Sequence, residues 1–258
     1  MNATLDHVVV VVPELAAAAE RFRAAGFVVL PGGRHEGLPT ENALVVFADG
    51  AYLELLATRD PDARESLREM GATERWTRHL HEASALGRRF LPSLAGPDGV
   101  ADWALRTARL DRIAAESRRR GYAMTGPVEL GRERPDGQRL AMRLLFPAER
   151  WLPFLIEDRS PMALRIPADP ASRAHANGAS GIARVTVRAP GVVSAAMGDV
   201  DHFGARSTPR LDGAADVVFE HNLLTLAEGE PAGACAVALT GVAALPPEIV
   251  ALGVTAAG

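Results

Sequence analysis

Cysteine is nearly absent: Cys235 is the single one in 258 residues. That excludes an intrachain disulfide and a cysteine-based metal cluster, and it fits a reducing cytoplasm. Long apolar runs are missing too, since the stretch at residues 8–12 falls far short of the roughly 20 residues a membrane helix needs. The N-terminus lacks the positively charged start of a secretory signal, so the expectation is a soluble, cytoplasmic chain with no membrane partner. Charge of one sign is also lacking. With 28 basic and 32 acidic residues the net charge is -4, which creates no field for nucleic-acid phosphates. The partner expected is a small molecule.

Apolar residues make up 48% of the chain, enough for a large core, and its length suits two compact units of roughly 100–200 residues at most. Richness in Ala, Arg and Gly points to a GC-rich bacterial genome. The opening "LDHVVVVVPELAAAAERFRAAGF" (residues 5–27) reads as a strand entered by an ionisable pair, Asp6 and His7, and followed by a helix. Residues 7–12 are β-branched almost throughout, as in a strand buried on both faces. Pro13 suits a helix start, Leu15, Ala18, Ala19 and Phe22 follow at helical spacing, and Gly26 closes the turn. Strands at residues 43–47 and 52–57, joined by an Asp49-Gly50 turn, complete a βαβββ unit.

The unit recurs. In "DWALRTARLDRIAAESRRRGY" (residues 102–122) Leu110 matches Leu15 and Gly121 matches Gly26, both at a shift of 95 residues. The same shift sets Asp102 under His7. Strands near residues 127–130, 139–146 and 152–157, with a Pro135-Asp136-Gly137 turn, make a second βαβββ. A degenerate third copy begins at residue 181, with Arg184 under His7 and Thr225 near the place of Glu54, so it has lost the metal-like residue types. The expected organisation is α+β: modules 1–58 and 100–158, a helical insertion at 59–99 read as two helices, a linker at 159–180, and the third unit at 181–258.

Paired βαβββ units opening on "DHVVV" and closing on "YLEL" resemble the vicinal oxygen chelate superfamily, which includes glyoxalase I, extradiol dioxygenases and bleomycin-resistance proteins. More narrowly, "LDHVVVVVPEL", "PGGRHEGLPTENALV", "GAYLELLA" and "LPFLIED" resemble the glyoxalase-like domain family. The resemblance implies an eight-stranded cup holding a divalent metal on the first and last strands of each unit. Carried over, it places His7 and Glu54 in the first unit and Asp102 in the second, where metal-binding relatives carry His or Gln. Aligning "YLEL" with "LIED" gives Glu157 as the fourth ligand, whereas counting without a gap gives Phe154; Glu157 is preferred.

A nitrogen-and-oxygen donor set of this kind suits Zn, Mn, Fe, Co or Ni. The resemblance then implies a metal-dependent lyase or isomerase working through an enolate, with Glu54 or Glu157 moving the proton. The alternative is a metal-free binding or resistance protein of the same fold, and a homodimer is compatible with either. Each residue has an ordinary alternative: His7 as a strand-end histidine bonded to backbone, Glu54 as an edge-strand carboxylate, Asp102 as a partner of Arg106, and Glu157 as a solvated ion pair. Thr40 and Asn42 are candidates to orient substrate, although both types are common in turns. Arg106, Arg139 and Arg143 would suit an anionic substrate if they turned into the cup. Alternation with Leu140, Met142, Leu144 and Phe146 instead sends Arg139 and Arg143 to solvent.

Overall fold

The computed structural model describes residues 3–35, 37–133, 137–192, 195, 206–219 and 222–257. The first unit runs β1 (Ala3–Val11), α1 (Leu15–Ala24), β2 (Leu30–Arg34), β3 (Thr40–Val46) and β4 (Tyr52–Thr58). Glu14 caps α1 by accepting the amides of Ala16 at 2.7 Å and Ala17 at 2.8 Å. Gly26 ends the turn at φ 85, a left-handed conformation that glycine enters without a Cβ clash, and Gly121 repeats it at φ 86. The second unit is β5 (Gly99–Thr107), α5 (Leu110–Arg119), β6 (Met124–Glu133), β7 (Arg139–Pro147) and β8 (Phe154–Asp158).

These eight strands form one curled sheet in the order β2-β3-β4-β1-β5-β8-β7-β6. The two units meet at β1 and β5, which run antiparallel, and each unit's first strand pairs in parallel with its last. The expected Pro135-Asp136-Gly137 turn lies largely outside the described residues. Period-two geometry sends alternate side chains to opposite faces. Val8, Val10, Leu53, Leu55, Trp103 and Leu105 face the convex side and its helices, whereas Val9, Val11, Leu56, Ala104, Leu144 and Phe154 face the inside of the cup.

Between the units lie three helices where the sequence suggests two: α2 (Pro61–Gly71), α3 (Arg75–Glu82) and α4 (Ala85–Ala95). Gly87 and Pro92 are weak helix formers, and α4 forms because Leu86, Phe90, Leu91 and Leu94 bury into the cup. The rest of the interior is covered by residues 162–166, where Ile166 and Met162 pack on Tyr52, Leu44 and Val46.

A second sheet follows, in the order β10-β11-β12-β9-β13-β14. Its strands are β9 (Gly181–Ala189), β10 (Arg206–Pro209), β11 (Ala215–Phe219), β12 (Asn222–Glu228), β13 (Gly233–Thr240) and β14 (Val254–Ala256). The helix expected between β9 and β10 falls mostly outside the described residues. Its ladder repeats the first: Thr225 stands beside Thr186 as Glu54 stands beside Val9, in each case two residues beyond Arg184 or His7. β13 and β14 reproduce the β5 and β8 pairing, so a remnant of a fourth unit is present as well. Val185, Val187, Val217, Leu224 and Val237 share one core with the convex side of the cup. No helix among the described residues is long and apolar enough to cross a membrane.

Candidate functional site

The opening pair of ionisable residues is set by a β-bulge. The β1–β5 ladder passes from Leu5 opposite Leu105 to His7 opposite Ala104, and leaves Asp6 without a partner. Such a bulge re-aims side chains at the cost of one ladder position. Asp6 and His7 are consequently both buried, and His7 Nδ1 lies 2.7 Å from Asp6 Oδ1. A second slip, between Val9 and Val10, leaves out Ala101 on β5, which lies 95 residues beyond Asp6.

Asp6 is held from behind by Arg165, whose Nη1 and Nη2 each donate to it at 2.8 Å. Arg165 also donates to Asp158 at 2.9 and 2.8 Å and to the Tyr52 hydroxyl at 2.9 Å. Tyr52 stacks on the His7 ring with centroids 4.7 Å apart, and Phe154 meets that ring edge-on at 5.3 Å.

On its other side His7 Nε2 lies 3.2 Å from Glu54 Oε2, within ion-pair reach but without the alignment of a hydrogen bond. Glu54 Oε1 accepts from Asn42 Nδ2 at 2.6 Å and lies 3.5 Å from His35 Nε2. Asn42 Oδ1 accepts the Gly33 amide at 2.7 Å, and the Thr40 hydroxyl lies 2.9 Å from His35 Nδ1. A Cβ on Gly32 would stand 2.0 Å from Asn42 Oδ1, so the Pro31-Gly32-Gly33 break leaves room for the Asn42 amide. His35 is 33% accessible, against 4% for His7 and 9% for Glu54, and is the cluster's contact with solvent.

Charge follows from this geometry. Burial alone would lower the pKa of His7, but Asp6 and Glu54 on either side outweigh it and raise it to about 9. Burial would raise Glu54, yet His7, then His35 and Asn42, bring it down to about 2. Asp6 would likewise rise by burial and is held well below the usual carboxylate range by Arg165 and His7. Burial, reinforced by the charges of Asp6 and Glu54, pushes the Tyr52 phenol up against the opposing effect of Arg165. The resting cluster is an imidazolium clamped between two carboxylates.

The ladder also tests the metal set. Glu54 stands beside Val9, two residues beyond His7, and Phe154 stands beside Ala104, two residues beyond Asp102. The fourth position is thus Phe154, which offers no donor atom. Asp102 faces the cup, but Arg89 of α4 grips it with two 2.7 Å hydrogen bonds, and it also accepts its neighbour Trp103's amide at 2.9 Å. An arginine fixed at that place repels a second cation. Among the described residues no group of three or more His, Cys, Asp or Glu is arranged to hold a metal. The donors therefore do not fit the four-ligand site, and only His7 and Glu54 remain together.

Glu157 lies on the convex face beside Leu155, 3.1 Å from Arg143, which also pairs with Asp111. Arg143 turns outward for the same reason: Leu144, Phe146 and Met142 take the inside of the cup. Arg139 is exposed at the start of β7, and Arg106 reaches the carbonyls of Gly50 and Asp49 at 3.3 and 3.4 Å. Thr40 and Asn42 join the cluster as supports of His35 and Glu54. Asp6, His35, Tyr52, Arg89 and Arg165 were not singled out for these roles from sequence. "DH", the His35-bearing "GGRHEG" and the Tyr52-bearing "YLEL" carried some sign of three of them, and nothing marked Arg89 or Arg165.

A family model described as a glyoxalase-like domain matches residues 5–197. No curated protein matches significantly. A hypothetical protein from Staphylococcus aureus shares the fold at a TM-score of 0.70 with 15% identity, over 93% of this chain and 91% of that one. A mutant of 4-hydroxymandelate synthase from Streptomyces coelicolor superposes with a TM-score of 0.57 at 12% identity, over 93% of this chain and 71% of that one. A Mn(II)-bound glyoxalase from Novosphingobium aromaticivorans gives a TM-score of 0.52 at 13% identity, over 92% of this chain and 64% of that one.

Proposed function

Since this chain belongs to the glyoxalase-like domain family, we propose that it acts on a small oxygenated molecule by moving a proton beside a carbonyl, as a lyase or isomerase does. The observation that carries this reading is the buried His7 Nε2, 3.2 Å from Glu54 but aligned with no acceptor. A substrate carbonyl placed there would take the Nε2 proton as a hydrogen bond. The imidazolium would then stabilise the negative charge that develops on oxygen in an enolate.

Separated from His7, Glu54 would remain buried, and burial alone raises a carboxylate's pKa. It would so become a stronger base when substrate is bound, and take the proton from the carbon next to the carbonyl. With an α-hydroxyl present, return of that proton to the former carbonyl carbon completes an isomerisation, as the enolate oxygen takes the His7 proton and the α-hydroxyl gives its own back to His7. With a leaving group on the β carbon, its departure with its bonding electrons, as the enolate re-forms the carbonyl and a C=C bond, completes an elimination. Asp6 keeps the His7 ring oriented, Arg165 keeps Asp6 charged, and Asn42 fixes the Glu54 carboxylate. No step is assigned to a metal, because Asp102 is taken by Arg89 and Phe154 offers no donor. A proton held on His7 by Asp6 and Glu54 also competes with a divalent ion for the imidazole.

The test is carbon-bound proton exchange in D2O, followed by NMR with a panel of small α-hydroxycarbonyl compounds and EDTA-treated protein. Exchange that survives EDTA and falls about 100-fold or more in Glu54→Gln supports the reading. Exchange that requires added Zn or Mn, with metal retained by the wild type and lost from His7→Ala and Glu54→Ala, would replace it by metal-dependent chemistry. No exchange, alongside a chelator-independent rise in melting temperature with an aromatic ligand, would replace it by a binding protein.

A further inference from the structure

The second sheet presents an open face that corresponds position for position with the inside of the cup. On β9, Ile182, Val185, Val187 and Ala189 turn to the core, which leaves Arg184, Thr186 and Arg188 on the other side. The β9–β13 ladder slips at Ala183, immediately before Arg184, as the β1–β5 ladder slips at Asp6 immediately before His7. The bulge therefore aims Arg184 from the place that His7 holds in the first unit. Whereas α2 to α4 fill the cup, no helix covers this second face among the described residues.

Its chemistry is cationic. Arg184 and Arg188 meet no carboxylate among the described residues, whereas Arg210 is engaged by Asp212 at 3.0 Å and Asp216 at 3.6 Å. Asp216, the carboxylate on this face, is further tied to the Thr225 hydroxyl at 2.7 Å. Cross-strand neighbours of Arg184 are Leu223 and Ala238, and those of Arg188 are Ala227 and Gly233. Ala236 and Ala238 on β13 stand opposite Thr186 and Arg184, so only methyl groups flank these two side chains on that strand. The chain contains no lysine, so apart from histidine its cationic side chains are forked guanidiniums, the group suited to planar oxyanions.

We propose that this face is a second ligand site, distinct from the His7 cluster, which binds a small molecule carrying a phosphate or carboxylate group through Arg184, with Arg188 and Thr186 beside it. The proposal does not depend on the chemistry assigned to the cup.

NMR titration of the labelled full chain with inorganic phosphate and, separately, malonate tests it, read at the Arg184 side-chain Nε–H. Saturable shifts with either ion are expected at low salt, and the stronger of the two identifies the anion class. Arg184→Gln should weaken binding about tenfold or more, with Arg120→Gln, at an exposed residue just past α5, unchanged. If Arg184→Gln fails to fold, Arg184→Lys, which keeps the charge and loses the fork, should still weaken binding severalfold. Equal binding in wild type and Arg184→Gln, or no saturable response to either ion, would overturn the proposal. A concentration-dependent dimer that Arg184→Gln dissociates, with no ion effect, would assign the face to a second copy and overturn it equally.

Discussion

Phe154 occupies in the second unit the ladder position that Glu54 occupies in the first. One side chain is a carboxylate beside His7, and the other is a hydrophobic wall against the same ring. The two halves of the cup have diverged in role: one carries the ionisable cluster and the other is filled by α4.

If that divergence is what removes the metal site, it can be reversed. Arg89→Met with Phe154→Glu frees Asp102 and supplies a fourth donor. Addition of Mn or Zn at about 100 times its dissociation constant should then stabilise the double variant by roughly 2.7 kcal/mol, or several degrees in melting temperature. Thermal unfolding with and without EDTA checks this, with no metal-dependent shift expected for the wild type.

Arg89 and Asp102 are both almost fully buried and bonded at two points. Arg89→Met alone should cost roughly 3–5 kcal/mol, because it leaves Asp102 buried without its partner. Arg89→Met combined with Asp102→Leu should recover most of that loss, as an apolar pair of similar volume does. Urea unfolding of the two variants provides the comparison.

Gly32→Ala brings a methyl group onto the Asn42 amide, 2.0 Å from Oδ1. The amide must move, and Glu54 loses its 2.6 Å donor. Gly32→Ala and Asn42→Ala should therefore lower proton-exchange activity by similar factors of about 10 or more, whereas the pair together should lose little beyond either alone. Additive losses would separate the two residues.

Stability should depend on pH through His7. Its pKa is raised in the folded chain to about 9 from 6.5, so its contribution is fully present below pH 6.5 and lost as pH rises through 9. Glu54 has the opposite sense: lowered to about 2 from 4.5, it stabilises above pH 4.5 and ceases to as pH falls through 2. Melting temperature between pH 6 and 10 should thus fall in the wild type and fall less in His7→Gln.

The double unit was legible because a shift of 95 residues matches Leu15 to Leu110 and Gly26 to Gly121, residues that shape a helix wherever they occur. His7 and Glu54 were legible through the resemblance and strand parity. The fate of Asp102 was not, because its partner Arg89 sits in a helix that has no counterpart in the repeat, and nothing in "LGRRFLPSL" marks one arginine as buried. The letters of "LIED" favoured Glu157, but hydrogen-bond register sets which face a residue takes, and it gives the position to Phe154. Arg165 was hidden for a different reason: it lies in a stretch read as a linker, 159 residues from the Asp6 it neutralises.

If His7 is a buried imidazolium held between Asp6 and Glu54, NMR titration of its labelled ring will show it. The expected result is both ring nitrogens protonated at pH 7, titrating near pH 9, with the midpoint lowered in Asp6→Asn and in Glu54→Gln. A neutral ring at pH 7 that titrates near 6.5, or one whose signals shift only when zinc or manganese is added, would contradict it.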